Sequence, residues 1–192
     1  KELKKLSYIE DANVEGPGFV NLSLKKNFWI NELKKVLLKD DKYGENNIGK
    51  SKKVIIEFVS ANPTGPLHIG HCRGAVYGDV LSNIMKKLGY IVYKEYYIND
   101  TGSQIDKLTN SVIYRYTELF NKNEKTIDHN LYPGEYLIDL AKDLKKKYGS
   151  KLLESKKKNN ISIKNFSLKW IVKLIKKDLD LLGVKFDLFY SE

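Results

Sequence analysis

The stretch from residue 54 to residue 98 constrains the fold of this chain more than any other segment. It begins with an unbroken run of β-branched and aromatic residues at 54–59, which is typical of a buried strand. After it come a loop with two prolines and a glycine at 62–66, a helical pattern at 69–88, the helix-terminating Gly89 and a second strand at 90–98. Strand, helix and strand in this order predict a parallel sheet with a right-handed crossover.

The flanking segments predict an α/β chain with a Rossmann-like parallel sheet and a helical insertion. Upstream, the patterns indicate strands at 8–14 and 19–24, a helix at 27–38 and a polar loop at 40–51. Downstream, they indicate helices at 101–120, 136–148 and 166–182, and a third strand of the sheet at 184–190. Residues 121–133 are polar and residues 151–163 are lysine-rich, so we predict loops at both places, with the second one mobile.

Charge and cysteine usage limit the partners and the compartment. Lys and Arg outnumber Asp and Glu by 34 to 24, which gives a net charge of +10. A basic balance is typical of nucleic-acid-binding proteins, but equally of a lysine-biased proteome, since only Arg73 and Arg115 are arginines. The lone Cys72 predicts no internal disulfide and a cytoplasmic protein. The sequence lacks an apolar run of about 18 residues, so we expect no membrane partner.

One local pattern matches a phosphate-binding loop in its letters but not in its context. Residues 44–51 have the sequence GENNIGKS, which fits G-x-x-x-x-G-K-[ST]. Such a loop binds phosphate because a strand enters it and a helix leaves it, so that backbone N–H groups converge on the anion. Here the predicted helix precedes the pattern and the strand follows it. We therefore predict that residues 44–51 do not form a phosphate site.

A second motif, at residues 66–71, has the context that the first one lacks. It follows the first strand and opens the helix, at the edge of a parallel sheet where ligands bind and helix N–H donors are unpaired. His68 and His71, here called the histidine pair, share one face of the first helical turn, and Gly70 lets a base or ribose approach the backbone. Two imidazoles at this place favour a nucleotide whose α-phosphate gains negative charge during reaction.

Two other roles are open to the histidine pair. A zinc site needs more ligands, but Cys72 lies on a different face and no third ligand is near in sequence, so we predict no bound metal. His68 is also placed to cap the helix with a ring nitrogen. The sequence does not separate this capping role from ligand binding.

Residues 57–71, with the sequence EFVSANPTGPLHIGH, resemble the class I aminoacyl-tRNA synthetase signature in the form found in the arginyl-tRNA synthetase family. Three further stretches resemble the same family, at residues 16–21, 96–105 and 186–192. The resemblance implies that residues 1–26 end a small α+β tRNA-binding domain and that 27–51 are a connection. It also implies that 52–192 form the first half of a Rossmann-like catalytic domain, with an insertion at about 121–165.

The chemistry of that family gives the expected activity, which is arginine–tRNA ligase. The family activates L-arginine with ATP, which Mg²⁺ accompanies, to arginyl-adenylate and then transfers the arginine to tRNA(Arg). The resemblance implies catalytic roles for His68 and His71, and ATP binding by His68, Gly70 and His71. It implies an arginine pocket that is formed by Ser60, Ala61, Asn62, His71 and Glu192. The other expectations are no protein-bound metal and a monomer when the protein is full-length.

Four polar residues near this site have a second interpretation. Glu192 suits a guanidinium, because a carboxylate pairs with two of its N–H groups, but it is also the final residue and an exposed glutamate. Asn62 precedes a proline and Asp100 follows a strand, so each is also suited to a turn. Gln104 is placed either to contact substrate or to form a capping box with Thr101. The sequence leaves these alternatives open.

The resemblance also implies that parts are missing. Class I synthetases have a second, lysine-bearing signature loop for the ATP phosphates, and none follows Glu192 here. Because the chain also begins at Lys1, we expect it to be a piece of a longer protein that does not aminoacylate by itself. Two rival functions stay open, namely another nucleotidyltransferase with the same histidine signature and a catalytically silent synthetase-like module that binds RNA.

Overall fold

The chain folds into two compact units, Lys1–Ile48 and Gly49–Glu192. A computed structural model describes residues 2–120, 130–154 and 157–192. All of the predicted site residues belong to the second unit.

The first unit is a β-hairpin followed by a helix, as the sequence predicts. Strands β1 (Ile9–Glu15) and β2 (Phe19–Leu24) are antiparallel, and helix α1 spans Lys26–Lys39. Short 3-10 turns lie at Leu3–Lys5 and Asp40–Lys42. The hairpin turn contains Gly16 and Gly18 at φ angles of 54° and 124°, where a residue with a side chain would be strained.

The second unit is built on the predicted three-stranded parallel sheet. Its strands are β3 (Lys53–Glu57), β4 (Ile91–Ile98) and β5 (Leu188–Ser191), in the order β3-β4-β5. Glu57 pairs with Glu95, which pairs with Leu188, so the carboxyl ends of all three strands share one edge. Helix α2 (Ile69–Lys87) joins β3 to β4, and Gly89 behind it has the positive φ, 83°, of a helix terminator.

Two strands depart from their predicted bounds. β3 ends at Glu57 instead of residue 59, because Val59 and Ser60 have φ angles of 64° and 39°, which extended backbone does not allow. β5 begins at Leu188 instead of residue 184, because Val184 donates its backbone N–H to the carbonyl of Leu179 in α5 rather than to a neighbouring strand. In both places the apolar composition indicates that the residues are buried. Burial alone does not distinguish a strand from the loop beside it.

The predicted full burial of the first strand is wrong for one face of the sheet. Ile55 and its β4 partner Tyr93 are 66% and 47% exposed. Val92 and Tyr96 point to the opposite face and are buried. The described helices therefore cover one face of the sheet, and a run of β-branched residues did not reveal which face that is.

Three helices pack together beside the covered face and form most of the core. They are α3 (Ser103–Glu118), α4 (Tyr136–Tyr148) and α5 (Lys157–Leu181). The core side chains that they share are almost fully buried; they include Leu108, Val112, Leu137, Leu140, Leu144, Ile171 and Ile175. The bounds of α4 match the prediction, whereas residues 121–129, in the predicted loop, lie outside the described residues.

The predicted mobile loop at 151–163 is wrong from residue 157 onwards, because α5 begins at Lys157. The buried positions of α5 recur every four residues, at Ile163, Ser167, Ile171, Ile175 and Leu179. The first of these apolar positions lies within a lysine-rich stretch, and this composition hid the helical period from the sequence prediction. Residues 155 and 156 lie outside the described part.

A buried ion pair fixes α2 to the sheet. The Nζ atom of Lys94 lies 2.6 Å from Oδ1 of Asp79 and 3.3 Å from Oδ1 of Asn83, both on α2, and Lys94 is only 7% exposed. The backbone N–H of the same lysine donates to Asp187 just before β5. A charge that is buried in this way depends on its partner, so the pair sets the position of α2 against β4.

The phosphate-loop pattern has a structural use that explains its residues. Gly49 donates its backbone N–H to the carbonyl of Leu88, and Ser51 donates to Gly89, so this segment ties the start of β3 to the end of α2. A Cβ on Gly49 would lie 2.5 Å from the ring of Tyr90, which requires glycine there. Strand β3 follows the pattern, as predicted, and the segment lacks the strand-to-helix geometry of a phosphate loop.

Candidate active site at the carboxyl edge of the sheet

The predicted site residues lie on the segments that leave the carboxyl ends of the three strands. A loop at residues 58–66, here called the substrate loop, leaves β3 and leads to the histidine pair at the start of α2. Residues 99–104 leave β4 and lead into α3, and Glu192 follows β5 directly. Open parallel sheets bind their ligands at this edge.

The histidine pair closes the N-terminus of α2 with two reciprocal hydrogen bonds. Nδ1 of His68 accepts from the backbone N–H of Gly70 at 3.1 Å. Nδ1 of His71 accepts from the backbone N–H of His68 at 3.2 Å. The arrangement is a capping box made of imidazoles, so the capping role that the sequence left open is present in the structure.

Capping also determines which ring nitrogen is left for a ligand. A nitrogen that accepts an N–H has no proton of its own, so each neutral ring carries its proton on Nε2. The two rings lie with their centroids 3.9 Å apart, beside a 440 Å³ cleft between the start of α2 and the end of α5. The pair therefore offers two neighbouring N–H donors where the helix N-terminus already favours an anion.

The pKa of His71 is lowered from its usual 6.5, first by burial and then by the nearby imidazole of His68. A lowered pKa keeps this ring neutral at neutral pH. The ring then keeps both the acceptor that caps the helix and the donor on Nε2. It can stabilise a charge that develops on a phosphate without first losing a proton.

Gly70 is required for space rather than for an unusual backbone. A Cβ at this position would lie 2.9 Å from Cε1 and 3.0 Å from Nδ1 of His68. Any larger residue would displace the imidazole from its capping position. The sequence prediction for Gly70 concerned the approach of a ligand, and the structure adds this steric reason.

The substrate loop begins with strained backbone. Val59 and Ser60 both have left-handed φ angles, and Ser60 donates its N–H to the carbonyl of Phe58 at 2.9 Å, which closes a γ-turn around Val59. A left-handed β-branched residue is a strong outlier, and such positions cost on the order of 1–3 kcal/mol each. The surrounding structure must hold the loop in this form.

Strand β4 supplies part of that support. The backbone N–H of Tyr97 donates to Oγ of Ser60 at 3.1 Å, and the hydroxyl of Tyr96 donates to the carbonyl of Ala61 at 3.0 Å. Burial raises the pKa of Tyr96 to about 12, so its hydroxyl stays a donor. Two predicted arginine-pocket residues, Ser60 and Ala61, therefore use a polar atom to shape the loop.

Asn62 and Gln104 meet although they are 42 residues apart. Nδ2 of Asn62 donates to Oε1 of Gln104 at 2.8 Å, and both line a 200 Å³ cavity with residues 99 and 101–103. Of the two alternatives left open for Gln104, the capping box with Thr101 is wrong, because Gly102, at φ 84°, is the residue that precedes the helix. Helix α3 therefore begins at Ser103, which leaves Thr101 and Gln104 free for other contacts.

Two carboxylates meet where β4 and β5 end. Oγ1 of Thr101 donates to Oε2 of Glu192 at 3.2 Å, and Oγ of Ser191 donates to Oδ2 of Asp100 at 2.5 Å. The hydroxyl of Tyr97 also bonds to Glu192. We call these five residues the carboxylate cluster. Thr101 also lines the cavity of the Asn62–Gln104 pair, so it connects two predicted arginine-pocket residues, Asn62 and Glu192.

The carboxylate cluster has an acceptor in need of a donor. Among the described residues, Oδ1 of Asp100 is buried and has no hydrogen-bond partner. The pKa of Tyr97 is raised, first by desolvation and then by the negative charge of Glu192 and the hydrogen bond to it. A buried orphan acceptor beside a second carboxylate suits a cationic ligand with several N–H groups, such as a guanidinium.

Sequence reasoning missed two tyrosines that shape this site. Tyr97 lies on the exposed face of β4, stacked on Tyr190 of β5 with ring centroids 5.7 Å apart, where a tyrosine suggests only sheet packing. Tyr136 on α4 donates to the carbonyl of Thr64, which is 72 residues away in sequence. Neither residue belongs to a local motif, and only the period-2 exposure of β4 could have indicated Tyr97.

Within residues 2–120, 130–154 and 157–192, no group of three or more His, Cys, Asp or Glu side chains is placed to hold a metal ion. In the same part of the chain, no helix has the length and apolar character that crossing a membrane requires.

Comparison with known proteins gives one consistent family. Residues 32–192 match the family model described as class I tRNA synthetases (R), catalytic domain. The chain is 50% identical over 191 residues to an arginine–tRNA ligase of Rickettsia bellii, with 99% of this chain and 33% of the relative covered. It is 53% identical over 184 residues to an arginine–tRNA ligase of Anaplasma phagocytophilum, with 96% and 31% covered.

Solved structures agree with this match. A crystal structure described as an arginyl-tRNA synthetase from Campylobacter jejuni superposes with a TM-score of 0.77 at 34% identity, covering 88% of this chain and 37% of that one. Thermus thermophilus arginyl-tRNA synthetase superposes with a TM-score of 0.56 at 21% identity, covering all of this chain and 31% of that one, which supports the fold alone. The chain spans about a third of the length of the curated relatives that it matches.

Proposed function

Because this chain belongs to the class I arginyl-tRNA synthetase family, we propose that it is part of the catalytic domain of an arginine–tRNA ligase. The complete enzyme would use ATP to activate L-arginine and would then transfer the arginine to the 3′-terminal adenosine of tRNA(Arg). The observation that carries this proposal is the capped histidine pair, whose two Nε2–H groups lie at a helix N-terminus on the carboxyl edge of the sheet.

In the first step, a carboxylate oxygen of arginine attacks the α-phosphorus of ATP. The bond from that phosphorus to the bridging oxygen breaks, and pyrophosphate leaves with the electron pair. No general base is needed, because the carboxylate of the amino acid is ionised at neutral pH. His68 and His71 donate to oxygens of the α-phosphate, where negative charge grows, and Gly70 keeps His68 in place. Mg²⁺ accompanies the ATP as part of the substrate.

Arginine selection belongs to the other end of the site in this proposal. The guanidinium carries five N–H donors, and Glu192 with the orphan oxygen of Asp100 provides acceptors for them. Asn62, held by Gln104, faces the α-amino or carboxylate group of the amino acid, since an amide offers both an acceptor and donors. Ser60 and Ala61 shape the wall of this pocket through their bonds to β4.

The remaining properties of the complete enzyme follow from the same assignment. We propose that it binds tRNA(Arg), to which a net charge of +10 on this part of the protein is suited, and that it works in the cytoplasm as a monomer. We also propose that the 192-residue chain alone does not charge tRNA, because it matches only a third of the relatives.

The test is aminoacylation by the full-length gene product. We expect charging of tRNA(Arg) with arginine but not with lysine or citrulline, because lysine lacks the planar fork of donors and citrulline lacks the charge. Arginine-independent ATP–pyrophosphate exchange, or charging with another amino acid, would favour a different nucleotidyltransferase. RNA binding without any amino-acid activation would favour the silent RNA-binding module.

A further inference from the structure

The substrate loop needs outside support along its whole length. Its first half is strained at Val59 and Ser60, and β4 holds that half through Ser60 and Ala61. A conformation with two left-handed residues persists only where its surroundings over-determine it. The second half of the loop, from Asn62 to the histidine pair, needs its own anchor.

That anchor comes from the helical insertion. The hydroxyl of Tyr136, the first residue of α4, donates to the carbonyl of Thr64 at 2.5 Å. Burial raises the pKa of Tyr136 to about 12, so the hydroxyl remains a donor throughout the neutral range. Thr64 in turn donates its N–H to the carbonyl of Asn62 at 2.7 Å, so its position is passed on to Asn62 through a tight turn.

Two glycines leave the space that the Tyr136 ring occupies. A Cβ on Gly134 would overlap the ring, and a Cβ on Gly65 of the loop would lie 3.3 Å from Cζ and from the hydroxyl oxygen. Neither glycine has a positive φ, so both positions require a small residue for space. The ring is thus fitted closely against the loop, and its hydroxyl reaches one backbone carbonyl.

We propose that Tyr136 is a positioning residue, which acts through Thr64 to hold Asn62 against Gln104 in the arginine pocket. The proposal rests on the function proposed above. It makes the insertion part of the substrate site, because Tyr136 reaches the backbone of the loop that carries Asn62. The recognised element is the backbone of the loop, so the identity of residue 64 matters less than the hydroxyl of residue 136.

The test removes the hydroxyl and keeps the ring. In the full-length enzyme, Tyr136→Phe should raise the KM for arginine about tenfold, which corresponds to one hydrogen bond of ordinary strength, with kcat and the KM for ATP nearly unchanged. The matched control is Tyr148→Phe, the same change at the other end of α4, where the ring packs on Phe166. The kinetics should be measured well below the melting temperature of each variant. A variant that is only less stable is then still folded and keeps the wild-type KM, whereas a variant that has lost the positioning contact does not.

A second variant approaches the same contact from the loop. Gly65→Val keeps the hydroxyl but adds methyl groups beyond a Cβ that would already lie 3.3 Å from the ring and its oxygen, so it should displace the ring and raise the KM for arginine to a similar degree. The double variant Tyr136→Phe/Gly65→Val should match either single variant within about twofold, because both remove the same hydrogen bond. Effects that multiply in the double variant, or equal KM values for Tyr136→Phe and Tyr148→Phe, would overturn the proposal.

Hydrogen–deuterium exchange distinguishes failure of this proposal from failure of the proposed function. The amides of residues 59–62, 64 and 65 in Tyr136→Phe should exchange about tenfold faster than in wild type and in Tyr148→Phe, whatever the protein catalyses. A wild-type enzyme that does not charge tRNA with arginine would end the proposed function, while exchange would still test the anchor. Unchanged exchange in an enzyme that does charge arginine would end the positioning role alone.

Discussion

The histidine pair is made within four consecutive residues, whereas the carboxylate cluster joins side chains that lie up to 95 residues apart in sequence, from Tyr97 to Glu192. The pair needs only a helix start and a glycine between its members. The cluster needs β5 to pair with β4, and Gly102 to delay the start of α3. The two groups are therefore sensitive to different substitutions. A substitution in one helical turn disrupts the histidine pair, whereas a substitution that disturbs the pairing of β4 with β5 disrupts the carboxylate cluster.

Replacing His68 with Asn should have the largest effect on turnover. This substitution tests the chemical role of the histidine pair separately from its role as a helix cap. Asn is a preferred N-cap residue, so the helix keeps its side-chain acceptor, but the Nε2–H donor is lost. We expect kcat of the full-length enzyme to fall about 10²–10³-fold, the usual cost of one donor to a developing charge. Charging kinetics measure the first effect, and calorimetry should find a midpoint within about 2 °C of wild type.

The control for that prediction is His68→Ala, which removes cap and donor together. It should show the same loss of turnover and, in addition, lose about 0.5–2 kcal/mol of folding free energy. Wild-type turnover in His68→Asn would mean that His68 is only a cap, and His71 would then be the one member of the histidine pair left with a proposed role in the chemistry.

The corresponding change in the carboxylate cluster is Glu192→Gln. It keeps an acceptor for Thr101 but removes the charge, so we expect the KM for arginine to rise about 10–100-fold, in line with a charge-assisted hydrogen bond. The KM for ATP should stay within about twofold, because the histidine pair is untouched. Glu118→Gln, on the surface of α3 and paired with Arg115, is the matched control. Equal effects on both substrates would show that the two groups are not separable.

Lowering the pH below 6.5 should disturb the histidine pair. The folded chain lowers the pKa of His71 below 6.5, so the unfolded chain binds the proton more readily. The stability contributed by the neutral ring is therefore complete above pH 6.5 and is lost as the pH falls below it. Urea midpoints of wild type should decline in that range more steeply than those of His71→Asn. Parallel declines in the two proteins would assign the effect to other groups.

The smallest effect is expected outside both groups, at Lys50. Its segment ties the start of β3 to the end of α2, so Lys50→Ala should leave the KM for ATP within about twofold of wild type. A KM for ATP that rises 100-fold or more would restore the phosphate-loop interpretation of residues 44–51. The site would then contain a third functional group besides the histidine pair and the carboxylate cluster.

The difference between local and long-range contacts also explains what could be predicted from the sequence. The position of the histidine pair, the parallel sheet and the end of α2 at Gly89 depend on short patterns, and the structure confirms the sheet and that helix end. The capping box of Thr101 failed because the backbone angle of Gly102 is not visible in a motif. The contact of Asn62 with Gln104 has no local signal, and the sequence indicated only that both residues lie near one site.

Composition misled the prediction where it was used in place of periodicity. The lysines after residue 150 indicated a mobile loop, although Ile163 already belongs to the buried face of α5. The β-branched run at 54–59 indicated full burial, although burial depends on what covers each face, as the exposure of Ile55 shows. The anchor at Tyr136 could not be predicted at all, because it is a hydroxyl-to-backbone bond across 72 residues.

Because Thr101 bonds to Glu192, the carboxylate cluster can form only after the ribosome has added Glu192, later than the histidine pair. The residues of the histidine pair are complete once His71 has been made, but 121 further residues must follow before Glu192 exists. At about 5–20 residues per second, that interval lasts roughly 6–24 s, during which β4 has no β5 beside it. In the function proposed above, the nascent chain would hold the residues that contact phosphate well before those that bind arginine, and selectivity would be the last property that this segment acquires.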